Sequence, residues 1–150
     1  VDGLIIVDLP PEEDEELYIE AENKKLSCIR LVTPTTHNTR LAKILSNATG
    51  FVYYVSITGI TGTQAPETDD VSINIKNIKS FTDLPIVVGF GIRSPNQALS
   101  MAQISDGVVI GSAVVDLIKE SLDENGNSTE ITANSCLDFI HEVSKEMKHN

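Results

Sequence analysis

The chain has 150 residues, a formal net charge of −11, 41% hydrophobic residues and 22% charged residues, which is the size and composition of one soluble globular domain. The negative charge disfavours nucleic acid as a partner, because nucleic-acid binding needs Lys and Arg on the contact surface. No apolar run approaches the roughly 20 residues that cross a membrane, and the N-terminus lacks the pattern of a secretory signal.

Short apolar runs alternate with amphipathic segments along the chain, which is typical of an α/β protein with buried parallel strands. The first helix begins with acidic residues and ends with lysines, so its charges complement the helix dipole. Strands are predicted at residues 1–7, 27–32, 51–56, 85–89 and 107–111, and the helices between them begin near residues 12, 38, 69 and 95. A short helix to about residue 120 and a flexible linker over 121–128 follow.

The two ends of the sequence are also informative. The first residues open inside a strand pattern without an initiator Met, so we expect the chain to be a fragment of a longer protein. The exposed edges of the first and last strands would invite pairing with another chain. The last predicted helix is amphipathic, and its apolar residues are Ile131, Leu137, Ile140, Val143 and Met147.

The segment 58–67 is polar and rich in glycine, and it is too long for a minimal turn between a strand and a helix. Such a loop at the catalytic end of a barrel is a candidate lid that excludes water from a site. The alternative is an inert surface loop.

Two apolar runs, 85–89 and 107–111, each end in glycine and flank one helix, and they predict a phosphate site. Glycine lets a ligand approach the main chain closely, and free N–H groups at the start of the helix after Gly111 would face an anion. In a (β/α)₈ barrel the loops after the last two strands form such a site with a short helix. The alternative is that these glycines only permit tight turns.

Cysteine and histidine do not predict a metal site. The two cysteines lack the spacing of metal ligands, and the three histidines are scattered along the chain. Cys28 lies in an apolar run and is predicted to be a reduced core residue. The remaining residues of this kind are Cys136, His37, His141 and His149.

Five segments occur in a characteristic order: 8–13 (DLPPEE), 31–36 (LVTPTT), 53–62 (YYVSITGITG), 89–92 (GFGI) and 111–113 (GSA). With these segments the sequence resembles the tryptophan synthase alpha chain, from about the fourth barrel strand to the C-terminus. The resemblance implies a TIM (β/α)₈ barrel, here a truncated portion with about five parallel strands and their helices. It implies a single domain over residues 1–150.

The resemblance also implies a cytoplasmic lyase of tryptophan biosynthesis. That family cleaves indole-3-glycerol phosphate, a small phosphate ester, to indole and glyceraldehyde 3-phosphate by a retro-aldol reaction. A partner beta chain then joins indole to serine with pyridoxal phosphate, within an alpha2beta2 heterotetramer. The alpha chain itself needs no cofactor.

Site residues follow from the same resemblance. The phosphate-binding turns match Gly89, Phe90, Gly91, Gly111 and Ser112. Tyr53 matches an aromatic substrate contact, and Thr61 and Gly62 match the lid. An apolar indole pocket would be lined by Ile5, Val7, Leu31 and Val109, although any buried strand supplies similar residues.

The chain departs from the family in its acid and base. The family's catalytic Glu and Asp match positions upstream of Val1, so no catalytic residue is assigned in this sequence. Asp8 is the one carboxylate in a comparable place, and we interpret it as a turn or subunit-contact residue. Two alternatives stay open: a non-catalytic phosphate-binding half-barrel that pairs with another chain, and another phosphate-binding barrel enzyme, such as an isomerase of histidine or tryptophan biosynthesis. The lid sequence disfavours the isomerase.

Overall fold

A computed structural model describes residues 1–56, 68–89 and 91–148. Within these residues, five parallel strands form one sheet in the order β1-β2-β3-β4-β5. The strands are β1 (Gly3–Ile5), β2 (Ser27–Val32), β3 (Val52–Val55), β4 (Ile86–Gly89) and β5 (Gly107–Val109). The helices are α1 (Glu15–Asn23), α2 (Asn38–Leu45), α3 (Thr68–Lys79), α4 (Pro95–Ala102), α5 (Ser112–Glu120) and α6 (Thr132–Lys148).

The core lies between the helices and one face of the sheet. Successive side chains of a strand point to opposite faces, and alternate residues of β2, β3 and β4 are fully buried. The strand residues of this core are Val32, Val52, Tyr54, Ile86 and Val88, and the helices add Leu41, Leu45, Val71, Ile75, Ile78, Ala98, Met101 and Val143. The predicted α/β architecture with about five parallel strands is therefore confirmed.

The other face of the sheet, here called the open face, carries Ile5, Leu31, Tyr53, Gly89 and Val109 by register. On this face Ile5 is exposed, and Leu31, Tyr53 and Val109 are half-buried. The accessible surface of the chain is 9820 Å², whereas a compact monomer of this mass exposes about 7,500 Å². In a closed (β/α)₈ barrel, this face would form the filled interior.

Several boundaries and burial predictions need correction. The strand predicted at 1–7 is shorter, and Ile5 and Val7 are 45% and 68% exposed, because β1 is an outer strand of the described sheet. Along the last helix Val143 is buried, but Leu137 and Ile140 are exposed, as is Ile131 just before it. The strand predicted at 27–32 and the helix start near Pro95 are confirmed, and Cys28 is a buried free cysteine.

The segment 121–128 is a hydrogen-bonded loop rather than the flexible linker that its composition predicted. The Asp123 carboxylate accepts hydrogen bonds from the backbone N–H groups of Asn125 and Asn127, and Gly126 N–H donates to Asp123 O. These bonds, first of all the one from Asn127, lower the pKa of Asp123. The loop therefore joins α5 to α6 in a defined conformation. None of the described helices is long and apolar enough to cross a membrane.

A buried ion pair ties the start of α1 to β2. The Arg30 guanidinium donates to the Asp14 carboxylate, and the two residues are 8% and 3% exposed. Asp14 Oδ1 and Arg30 Nε have no hydrogen-bond partner among the described residues. Desolvation offsets much of the attraction of such a pair, but removing one partner leaves an uncompensated buried charge.

We expect Arg30→Met to lower the free energy of unfolding by about 3–5 kcal/mol, because it leaves the buried Asp14 carboxylate without its cationic partner. The double variant Arg30→Met/Asp14→Leu should recover most of this loss, since no charge then remains buried. Urea denaturation of the three proteins measures the effect. A double variant as unstable as Arg30→Met alone would contradict this account of the pair.

Candidate functional site

The candidate site lies at the carboxyl edge, by which we mean the edge of the sheet where the strands end. Gly89 pairs with Val109 in register across β4 and β5. Because the two strands are parallel neighbours, the turns that follow them leave the sheet at this same edge. The structure therefore brings together the two predicted turns, at Gly89–Gly91 and at Gly111–Ser112.

The turn after β5 exposes backbone donors. Gly111 is the N-cap of α5, and a Cβ placed on it would meet nothing within 4 Å. Both Gly111 and Ser112 are exposed. Helix geometry leaves the N–H groups of Ser112 and Ala113 without an intrahelical acceptor, and the positive end of the helix dipole lies at the same place. Such a helix start can hold an anion.

The turn after β4 has the backbone conformation that its sequence requires. Gly91 has a φ of 79°, in the left-handed region that favours glycine. Ile92 is buried and anchors the turn in the core. Ser94 then caps α4 by accepting a hydrogen bond from Gln97 N–H. Phe90, predicted as part of this turn, lies outside the described residues.

Gly89 meets Tyr53 rather than open space. A Cβ on Gly89 would overlap the phenol ring and oxygen of Tyr53, because the two residues lie diagonally on the open face of β3 and β4. The Tyr53 ring thus fills the space that a side chain on Gly89 would occupy. Burial raises the pKa of the Tyr53 phenol, and the protonated hydroxyl can donate a hydrogen bond.

Sequence reasoning missed three residues at this edge. Ser56, just after β3, is 6% exposed and its hydroxyl donates to Gly89 O at 2.9 Å. Arg93, two residues after Gly91, forms an ion pair with Asp116 of α5 at 2.9 Å. This pair joins the turn after β4 to the helix after β5. Only their positions in the sequence could have indicated these residues. Ser56 is a polar residue directly after a strand, and Asp116 is an acidic residue one helical turn after Ser112.

The remaining predicted residues separate into three groups. Ile5, Leu31 and Val109 share the open face with Tyr53 and Gly89. Val7 lies beyond the end of β1 and is exposed. Thr61 and Gly62, with the whole predicted lid at 58–67, are outside the range of residues that the structure describes.

Asp8 belongs to a different part of the molecule. It is exposed on the turn after β1 and lines a cavity of about 330 Å³ with Arg30 and Arg40. Arg40 and Lys43 pair with Glu12, and hydrogen bonds first from Arg40 and then from Lys43 lower the pKa of Glu12 to about 2. Arg30 pairs with Asp14. Carboxylates thus already neutralise the cations around this cavity, which makes it a poor anion site.

Metal binding has no support in the described part of the chain. Among residues 1–56, 68–89 and 91–148, no group of three or more His, Cys, Asp and Glu side chains could hold a metal ion.

Strand order, helix placement and turns together define an α/β half-barrel of the TIM class, which is the architecture expected from the sequence. A family model for the tryptophan synthase alpha chain matches residues 1–146. The chain belongs to the tryptophan synthase alpha chain family. The resemblance and the half-barrel are both confirmed.

Solved structures agree with this assignment. The tryptophan synthase alpha subunit of Legionella pneumophila str. Paris is 28% identical, with a TM-score of 0.83 over 100% of this chain and 53% of that chain. The subunit of Campylobacter jejuni is 33% identical, with a TM-score of 0.79 over 95% and 54%. Tryptophan synthase of M. tuberculosis in an aminoacrylate-bound form is 29% identical, with a TM-score of 0.78 over 97% and 50%. The chain thus spans about half the length of these solved relatives.

Gly89→Ala should lower the free energy of unfolding by about 1–3 kcal/mol, because the new methyl group overlaps the Tyr53 ring. In a Tyr53→Ala background the same change should cost less than about 0.5 kcal/mol, since the obstacle is gone. Urea denaturation of the four proteins of this double-mutant cycle gives the coupling. Equal costs in both backgrounds would show that Tyr53 does not fill the space above Gly89.

Proposed function

We propose that this chain supplies the phosphate-binding and indole-facing part of a tryptophan synthase alpha subunit, a lyase of tryptophan biosynthesis. The substrate would be indole-3-glycerol phosphate, which is cleaved to indole and glyceraldehyde 3-phosphate. The observation that carries this proposal is the register of β4 and β5, which places the end of β4 at Gly89 beside the exposed start of α5 at one carboxyl edge.

Phosphate would be held by backbone dipoles. The chain's net charge of −11 repels an anion at long range, so binding depends on local donors. The proposed donors are the backbone N–H groups at the start of α5 and the backbone N–H of Gly91. A phosphate anchored there places the rest of the substrate over the open face of the sheet.

The open face offers an apolar surface for an indole ring. Leu31 and Val109 present aliphatic side chains, and Tyr53 adds an aromatic ring with a neutral hydroxyl. Aromatic rings bind such surfaces through buried area and ring stacking. This chain's residues would therefore bind and orient the two ends of the substrate.

Retro-aldol cleavage also needs proton transfer. A base removes the proton of the substrate hydroxyl, the adjacent carbon–carbon bond breaks, and its electron pair is taken up by the indole ring, which an acid protonates. Family resemblance assigns the acid and base to a Glu and an Asp outside these 150 residues. Activity would then require the remainder of the barrel.

A beta chain is the proposed partner, in an alpha2beta2 complex in the cytoplasm. The match to the M. tuberculosis tryptophan synthase supports an assembly of this kind. Pyridoxal phosphate would belong to the beta chain, and we assign no cofactor to the chain described here.

Two measurements test the function in separate steps. Calorimetric titration of the 150-residue chain with glycerol 3-phosphate tests the phosphate site. Joining the chain to the unmatched half of the Legionella subunit tests the chemistry, and we expect indole release from indole-3-glycerol phosphate. A complete chimera that binds substrate without releasing indole would favour the non-catalytic half-barrel instead.

Gly111→Val should raise the dissociation constant for glycerol 3-phosphate at least about tenfold, because the side chain fills the space where phosphate approaches the main chain. Stability should change little, since a Cβ there meets no atom within 4 Å.

Gly107→Val is the matched control for this change. Gly107 begins β5, the strand before Gly111, and lies at the opposite edge of the sheet. A Cβ on Gly107 would lie 3.6 Å from a Val87 methyl group, an ordinary contact. We expect its affinity to equal that of the unaltered chain. If Gly111→Val also binds with unchanged affinity, the turn after β5 is not part of the site.

A further inference from the structure

We propose that Ser56 is a positioning residue that fixes the Gly89 carbonyl at the end of β4, beside the proposed phosphate site at the start of α5. This inference rests on the proposed phosphate site and assigns Ser56 no contact with the substrate. It concerns a hydrogen bond between the ends of β3 and β4, not the backbone donors themselves.

The first observation is the double hydrogen bond on one carbonyl. Gly89 O accepts from the Ser56 hydroxyl at 2.9 Å and from the Ser56 backbone N–H at 3.1 Å. A carbonyl oxygen has two lone pairs and can accept both donors. These two bonds therefore restrain the orientation of the Gly89 carbonyl at the end of β4.

Burial makes this restraint effective. Ser56 is only 6% exposed, so water does not compete freely for the Gly89 carbonyl. Loss of the hydrogen bond from the Ser56 hydroxyl would leave the Gly89 carbonyl with one donor fewer, which costs free energy because the carbonyl is shielded from water. Tyr53, from the same strand, covers the Cα side of Gly89, so β3 restrains this residue in two directions.

The downstream end of the turn has its own restraints. Arg93 N–H donates to Gln97 Oε1 at 2.8 Å, and the Arg93 side chain pairs with Asp116. Arg93 and Asp116 are largely exposed, and a surface ion pair of this kind contributes little. The bonds from Ser56 act at the other end of the turn, and unlike this ion pair they are buried.

Ser56→Ala is the direct test, with glycerol 3-phosphate as the probe. We expect the dissociation constant to rise about fivefold, the change that corresponds to one lost hydrogen bond. Ser56→Thr keeps the hydroxyl and should bind within twofold of the unaltered chain. Ser56→Cys keeps nearly the side-chain volume of serine, but its thiol is only a weak donor, so its dissociation constant should resemble that of Ser56→Ala. It replaces Ser56→Ala in the test if that variant does not fold.

Ser121→Ala provides the matched control. Ser121 is also 6% exposed and its hydroxyl also donates to a backbone carbonyl, that of Ile118, but it lies at the far end of α5. We expect similar losses of thermal stability in Ser56→Ala and Ser121→Ala, with weaker phosphate binding only in Ser56→Ala.

Three results would overturn the proposal. If Ser56→Ala and Ser56→Cys bind as tightly as the unaltered chain while Gly111→Val has lost binding, the site does not depend on Ser56. Equal losses of affinity in Ser56→Ala and Ser121→Ala would show a general effect of stability. An unaltered chain that does not bind glycerol 3-phosphate would remove the phosphate site, and with it the role given to Ser56.

Discussion

The parallel register of β3, β4 and β5 is the constraint on which the candidate site depends. Val55, Gly89 and Val109 lie side by side across the three strands. All three strands therefore end at one level, and the segments that follow them start from one edge. A shift of one residue would turn the open-face side chains toward the helices, and it would separate Gly89 from both Tyr53 and Ser56. Ile86 and Val88 are buried on either side of a less buried residue of β4, and both pack in the core with residues of α3 and α4. This packing fixes the register of β4.

The two faces of the sheet have different physical roles. One face buries large aliphatic residues against the helices and supplies most of the hydrophobic stabilisation. The other face is largely apolar, and Leu31, Tyr53 and Val109 on it are only half-buried. The residues that stabilise the fold therefore differ from those proposed to bind the ligand. Substitutions at Val88 affect the packing of the helices, whereas substitutions at Leu31 or Val109 affect the face proposed to contact the indole ring.

Local patterns in the sequence were sufficient for the elements but not for the contacts between them. The run Ser27–Val32 is a mostly apolar strand interrupted by Arg30, and its bounds were predicted correctly. Pro95 after Ser94 marks a helix start through its own backbone chemistry. The exposure of Ile5 and Leu137 could not be predicted, because it depends on which elements pack beside them. Ser56 and the Arg93–Asp116 pair were missed for the same reason, since their partners lie 33 and 23 residues away in sequence.

Electrostatics explains why the proposed site uses main-chain donors. The chain carries 22 acidic and 11 basic residues, and the cations near the strand ends are already paired: Arg93 with Asp116, Arg40 with Glu12 and Arg30 with Asp14. A phosphate at the carboxyl edge would compete with a carboxylate for any of these side chains. The N–H groups at the start of α5 have no such competitor, and their dipoles are fixed by the helix rather than by a mobile side chain. Their direction is set by backbone geometry, so the restraints on the two turns determine how well an anion is bound.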